Sequence, residues 1–177
     1  TVIINTTPIA SNAMTLVASK PTVTVSSTMG GTLILGAENK VGEFTVSADA
    51  NGKISVATTT VNISVIGISG TTTFGGFRVA DGNTTITGSN ALMTSTSTSS
   101  GTVTVSFAPN YEISAGQSKT FSLYAVVNGT AVSGITPYVA SSLSASGFQW
   151  RDVIGGGTQF AGTNIINFPT NSYTTAR

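Results

Sequence analysis

Apolar and polar residues alternate along most of this chain, and this period of two constrains its fold more than any other feature. The pattern is clearest in GEFTVSA (42–48), VNISV (61–65), TVTVSF (102–107) and KTFSLYAV (119–126). Successive side chains of a β-strand point to opposite faces, so each segment has one apolar face and one face of Thr, Ser or Asn. This pattern is typical of antiparallel strands that are packed on one side only.

Short turn-forming sequences separate the alternating segments. They include DANGK (49–53), ISG (68–70), DGN (81–83), PNY (109–111), SAGQ (114–117) and NGT (128–130). No window of a dozen residues has the apolar spacing of a helix, and six to nine strands at these intervals indicate two packed sheets. We therefore predict an all-β fold, an Ig-like antiparallel β-sandwich with an N-terminal strand extension.

Three segments are expected along the chain. Residues 1–19 form the N-terminal extension, and residues 20–145 form the β-sandwich domain. The boundaries follow from Pro21, which opens the first strong strand, and Ser144, near which the last strongly alternating run ends. Residues 146–177 form a C-terminal strand and loop segment that packs on the sandwich.

The composition favours an exposed surface protein. Charged residues make up 7% of the chain, against about 25% in typical domains, while 31 threonines and 23 serines supply surface hydroxyls. The seven basic residues are scattered, so a nucleic-acid partner is not expected. No apolar run approaches the roughly 18 residues needed to span a bilayer. We expect an extracellular, cell-surface location.

Groups that commonly carry catalysis are rare in this chain. It contains no histidine and no cysteine, which excludes His- or Cys-based nucleophile activation and thiolate or imidazole zinc sites. Six carboxylates remain, and no set of residues meets the geometric roles of a catalytic site. We expect no enzymatic activity, no catalytic residues, no cofactor and no metal site.

Several motifs resemble repeat units of large bacterial cell-surface β-sandwich proteins of the surface-layer and filament type. They are GTLILGAENKVGEFTVSADANGKISV (31–56), GGFRVADGNTTITGS (75–89), ISAGQSKTFSLYAVV (113–127), SLSASGFQWRDV (142–153) and PTNSY (169–173). In that family a Gly-rich opening leads into a GxFxxxA strand, and an IxAGxSxTF turn enters a late strand. The resemblance implies a β-sandwich with a surface-layer, adhesive or filament role, and it brings no catalytic residues.

The N-terminal extension contains apolar residues that need a partner surface, interrupted by Pro8. The candidate donor-strand contacts are Val2, Ile4, Ile9, Met14 and Leu16. Burying one aliphatic side chain is worth about 1.5–3 kcal/mol, so Val2, Ile4, Met14 and Leu16 left in water forgo about 6–12 kcal/mol together. The extension therefore either folds back as the first strand of its own sandwich or completes a sheet of the next subunit.

Docking in the next subunit also covers a sheet edge that few charges protect. Such a head-to-tail contact does not close on itself and grows a filament. We therefore favour a structural subunit of an extracellular filament, pilus or surface layer, with identical subunits as partners. The alternative is an adhesin or carbohydrate-binding module that contacts surface glycans through Phe148 and Trp150. In the favoured interpretation these two aromatic residues belong to the core.

Four N-x-S/T triplets mark candidate glycosylation sites. They begin at Asn5, Asn62, Asn83 and Asn128. Asn62 lies between the inward-facing Val61 and Ile63 and is therefore expected to point outward. Modification depends on the glycosylation machinery of the source.

Overall fold

A computed structural model describes residues 16–27, 29, 31–86, 89–96, 99–153 and 158–174 of the 177-residue chain. The described part contains twelve β-strands and one short 3-10 turn, at residues 162–164. The strands are β1 (Pro21–Thr24), β2 (Glu38–Ala48), β3 (Ile54–Ile66), β4 (Ile68–Asp81), β5 (Thr84–Thr85), β6 (Ser89–Thr96), β7 (Ser100–Ile113), β8 (Ser118–Ala131), β9 (Tyr138–Leu143), β10 (Gln149–Asp152), β11 (Gln159–Ala161) and β12 (Tyr173–Thr174).

The strands form two antiparallel sheets packed into a sandwich, which confirms the predicted fold class. The first sheet has the order β1-β2-β8-β4-β5. The second has the order β11-β10-β3-β7-β6. β3 is long enough to pair with two shorter strands on the same side, β10 along its first half and β9 along its second half, and β12 pairs with β9.

The core lies between the sheets and is built from the apolar faces of the alternating segments. Val61, Ile63 and Val65 of β3 are buried, whereas Asn62 and Ser64 between them are exposed. The same alternation holds in β2, β7 and β8. Aromatic residues join the sheets: the ring of Phe121 lies within 5.5 Å of the rings of Phe44, Phe107 and Tyr111, centroid to centroid. The period of two therefore predicted which side chains form the core.

Three of the predicted turns are wrong. The turn between β3 and β4 lies at Gly67 with a φ of 81°, and residues 68–70 are already in β4. Residues 109–111 form an irregularity inside β7, where four residues lie between the partners of Thr58 and Val56. Residues 128–130 continue β8, in which Asn128 pairs with Thr73 of β4. In each case pairing with neighbouring strands overrides the local turn preference.

The C-terminal segment contributes strands to the second sheet. β10 lies between β3 and β11, so Trp150 has Val56 on one side and Phe160 on the other. β12 lies at the end of the described chain, and its Tyr173 is buried beside β9. β12 also exchanges backbone hydrogen bonds with the segment that follows β1, so the short C-terminal strands lie on the same side of the sandwich as β1.

Pairs of side-chain hydroxyls join neighbouring strands of the first sheet. Thr45 Oγ1 and Thr120 Oγ1 are 2.7 Å apart across β2 and β8, and Ser47 Oγ and Ser118 Oγ are also 2.7 Å apart. Cross-strand pairs of this kind stabilise a sheet by about 0.2–1 kcal/mol each. The abundance of Thr and Ser therefore has a structural role in the fold.

Gly147→Ala is expected to destabilise the sandwich. An ideal Cβ at residue 147 would lie 2.2 Å from Thr60 Oγ1 and 2.4 Å from Thr60 Cβ, so β3 or the turn before β10 must shift. Overpacking of this kind costs about 1–3 kcal/mol. Chemical denaturation measures the loss in the free energy of unfolding, and Gly75→Ala is the matched control. An added Cβ at Gly75 meets no atom within 4 Å. Equal stability of the two variants would contradict the close packing at Gly147.

Candidate assembly site

The N-terminal extension joins the sandwich through a short segment, residues 16–20, which we call the root. The backbone N–H of Ala18 donates a hydrogen bond to Asp152 Oδ2 at 2.6 Å. Asp152 and Ser19 are each 2% exposed, and Val17 packs against the core. The buried carboxylate at the end of β10 therefore fixes the position of the root on the sandwich.

Leu16, the first described residue, has 95% of its surface exposed. It therefore does not pack on its own sandwich, although leucine usually does. The other proposed donor-strand residues, Val2, Ile4, Ile9 and Met14, lie outside the described residues, and so does Asn5. Docking of the extension in its own domain or in a neighbour remains a prediction.

The root and the last described strand lie at opposite ends of the sandwich, as β3 shows. The root is bound to Asp152, which pairs with Ile54 at the start of β3. Thr174 pairs with Ala140, which pairs with Ser64 near the end of β3. These two positions are roughly 30 Å apart at about 3.3 Å per residue. We call the end with the root the proximal end and the other the distal end.

Within the described residues, the first sheet ends in β1 on one side and, on the other, in β5 and the part of β4 that β5 does not cover. The edge strands of the second sheet are β11, β6 and the two-residue β12. β1 has four residues, begins with Pro21 and follows Lys20, and β11 has three residues. β4 and β6 have fourteen and eight residues. Short strands and edge Pro or Lys residues discourage pairing with other chains. The long edges of β4 and β6 lack this protection.

A groove of about 410 Å³ runs beside β1. It is lined by residues 21–24 and by residues 165–167 of the loop after β11. Ile166 in this loop is 84% exposed. An apolar segment has room to bind in this groove, but β1 offers only four residues to a docking strand.

The aromatic pair proposed as an alternative ligand platform is buried. Phe148 is 0% exposed and Trp150 1%. Their rings pack against Phe168 and Phe160, with centroids 5.5 Å and 4.8 Å apart. β10 lies between two other strands, and its inward face points into the core. The platform interpretation is therefore corrected, because neither ring face can reach a ligand.

Four of the described carboxylates, those of Glu38, Glu43, Asp81 and Glu112, form ion pairs with Lys or Arg side chains. Arg78 donates two hydrogen bonds to Glu38, at 2.9 Å and 2.7 Å, and these hold the pKa of Glu38 below its usual value. Lys119 donates to Asp81 at 2.7 Å, and this bond raises the pKa of Lys119. The lowered pKa of Glu38 and the raised pKa of Lys119 both favour the charged form of these side chains at neutral pH.

The three candidate glycosylation sites within the described residues are exposed. Asn62 points outward from β3 and accepts a hydrogen bond from Thr102 Oγ1 at 3.2 Å. Asn83 lies in the turn before β5, and Asn128 lies near the end of β8. Glycosylation at these residues stays a prediction. No helix among the described residues has both the length and the apolar character to cross a bilayer.

No protein-family model matches the sequence, and the search of curated proteins finds no match either. Among solved structures, the chain is similar to the cohesin module of a family 33 glycoside hydrolase from Clostridium perfringens. Identity is 8% and the TM-score 0.41, over 90% of this chain and 98% of that one. The chain is also similar to a cohesin of scaffoldin B from Acetivibrio cellulolyticus, solved in complex with a dockerin. Here the identity is 16% and the TM-score 0.37, over 89% of this chain and 97% of the cohesin.

The chain is also similar to the major pilin subunit of Bacillus cereus. Identity is 11% and the TM-score 0.36, over 88% of this chain and 40% of the pilin. All of these similarities are remote and concern the β-sandwich alone.

Proposed function

We propose that this β-sandwich module is a structural subunit of an extracellular, cell-surface filament, pilus or surface layer. Its N-terminal extension adds a β-strand to a neighbouring subunit. The observation that carries the proposal is the root, which is fixed to the sandwich at Ala18 while the Leu16 side chain beside it is 95% exposed. The apolar residues before Leu16 therefore need a partner surface.

The position of the root supports linear growth. Because the extension leaves from the proximal end, a neighbour that receives it stacks end to end with the donor. A contact between two different surfaces repeats from one copy to the next and forms an open polymer unless a rotation closes it. A head-to-tail homopolymer follows from this arrangement.

A mechanical role, without catalysis, agrees with the chemistry of the surface. Cross-strand hydroxyl pairs join β2 and β8, and the side chains of Glu38 and Asp81 form ion pairs with Arg78 and Lys119. We propose that the protein is not an enzyme. The adhesin alternative loses its main support, because Phe148 and Trp150 are buried.

The size of the particles in native buffer tests this proposal. We expect the full chain to form polymers that grow with concentration, measured by light scattering and sedimentation velocity. A chain that stays monomeric at all concentrations would contradict the proposal. A monomer whose tryptophan fluorescence responded to glycans would instead support the adhesin alternative.

A further inference from the structure

We propose that the outer edge of β4 is the acceptor for the N-terminal extension of a second copy. This inference rests on the function proposed above. β8 pairs with one side of β4. On the other side, within the described residues, β5 pairs only with Ala80 and Asp81, and Ile86 donates to the carbonyl of Val79. In the part of the chain that the structure describes, no strand pairs with the outer edge of β4 before Val79, over roughly 35 Å at about 3.3 Å per residue.

The open part of β4 lacks the usual protection of an edge strand. Residues 68–77, ISGTTTFGGF, contain no charge and no proline. β4 pairs regularly with β8 at Thr73–Gly75, between two register shifts. A long uncharged edge exposes backbone N–H and C=O groups that pair readily with another strand. β4 therefore needs a covering strand more than β1 or β11 does.

Within the described residues, three side chains of β4 have an unpaired hydroxyl or a partly exposed aromatic ring. Thr72 is 2% exposed, and its hydroxyl has no hydrogen-bond partner in the part of the chain that the structure describes. Phe74 and Phe77 pack against the core but are only partly buried. A strand laid against this edge would bring backbone groups close to Thr72 and would cover the aromatic rings.

The occupant is residues 1–15 of a second copy, because their length, charge and attachment point match the edge. They contain no charged side chain. Extended, they reach roughly 50 Å at about 3.3 Å per residue, which exceeds the open edge of β4. Their root lies at the proximal end, whereas Ile68 starts β4 at the distal end. End-to-end stacking therefore brings the root of the neighbour to Ile68.

This geometry also sets the direction of the donated strand. It enters at Ile68 with Leu16 and runs antiparallel to β4. With Leu16 opposite Ile68, Pro8 lies opposite Gly76, inside the irregularity between Gly75 and Arg78. Proline, which has no N–H, is tolerated at such irregular positions of a sheet.

The first residues of the donated strand then reach a cavity next to the end of β4. This cavity of about 490 Å³ lies between β5 and β7, and its lining includes Ile86, Phe107 and Tyr111. Val2 and Ile4 are the aliphatic side chains that arrive there. Burial of these side chains would anchor the tip of the strand.

Disulfide mapping tests the acceptor directly, because the natural chain contains no cysteine. One copy carries Thr73→Cys and the other carries one cysteine at a position from Ile9 to Ala13. The two are copolymerised and mildly oxidised. We expect covalent dimers for at least one of these positions. The matched control is Thr22→Cys on the exposed face of β1, for which we expect none.

The outcomes separate this inference from the proposed function. Leu92→Cys places a further test cysteine on β6. If polymers form but covalent dimers appear only with Thr22→Cys or Leu92→Cys, β4 is not the acceptor, while strand donation itself is still supported. Polymers without dimers at Thr73 would also overturn the acceptor assignment. A full chain that never polymerises would overturn both proposals.

A second variant tests the same edge without cross-linking. Thr73→Lys places a charge on the edge and is expected to slow polymerisation about tenfold, because edge lysines discourage strand pairing. Thr22→Lys on β1 is the matched control and should stay within about twofold of the natural chain. Equal rates for the two variants would count against β4 as the acceptor.

Discussion

A chain truncated to begin at Leu16 is expected to stay a folded monomer under conditions in which the full chain polymerises. The deletion removes Val2, Ile4, Ile9 and Met14, whose burial in a neighbour would be worth about 6–12 kcal/mol. This is comparable to the whole stability of a typical domain, about 5–15 kcal/mol. The bond between Ala18 and Asp152 remains, so the sandwich itself should be unaffected.

Sedimentation velocity measures the loss of polymer, and far-UV circular dichroism checks that the truncated chain is folded. A synthetic peptide of residues 1–15 should bind the truncated chain and raise its thermal midpoint without restoring polymers. A peptide with Val2→Ser and Ile4→Ser is the matched control and should bind more weakly. A truncated chain that polymerises as fast as the full chain would rule out strand donation by this segment.

Trp150→Ala is expected to produce the largest loss of folding stability. The side chain is 1% exposed and packs against Phe160, with ring centroids 4.8 Å apart. Removing a buried tryptophan costs about 3–5 kcal/mol, which is a large share of the stability of a domain. Chemical denaturation followed by circular dichroism measures the loss, since Trp150 is the only fluorescent tryptophan.

Two variants serve as controls for this prediction. Trp150→Phe keeps an aromatic ring and removes an indole N–H that has no hydrogen-bond partner among the described residues, so its loss should be smaller. Leu92→Ala removes a side chain that is 59% exposed and should change stability by less than about 0.5 kcal/mol. If the Trp150→Ala chain is about as stable as the Leu92→Ala chain, Trp150 does not belong to the core and is again a candidate ligand contact.

The sandwich could be predicted from the sequence because the alternation of apolar and polar residues follows directly from the burial of one face of each strand. Alternation in VNISV or TVTVSF requires one dry face, and the structure buries those faces. The wrong turns have a common cause, since Asn128 and Pro109 prefer turns locally but lie in long strands held by their neighbours. The two-residue strand β12 is too short for any pattern to indicate.

Only part of the candidate site could be predicted from the sequence. The apolar extension was visible in Val2, Ile4 and Leu16, and so was the need for a partner. The contact between Ala18 and Asp152 joins residues far apart in the chain, and no local pattern indicates it. Likewise, β4 is an edge strand because of the order of strands in the sheet, which the sequence does not encode locally.

Imaging of the polymer at a resolution that traces the backbone distinguishes donation of the N-terminal strand to a neighbour from docking in its own subunit. Strand donation predicts continuous density from Leu16 of one subunit into a sheet of the next, with residues 1–15 as an added strand. Density that turns back at Leu16 and runs along the sandwich of its own subunit would contradict strand donation.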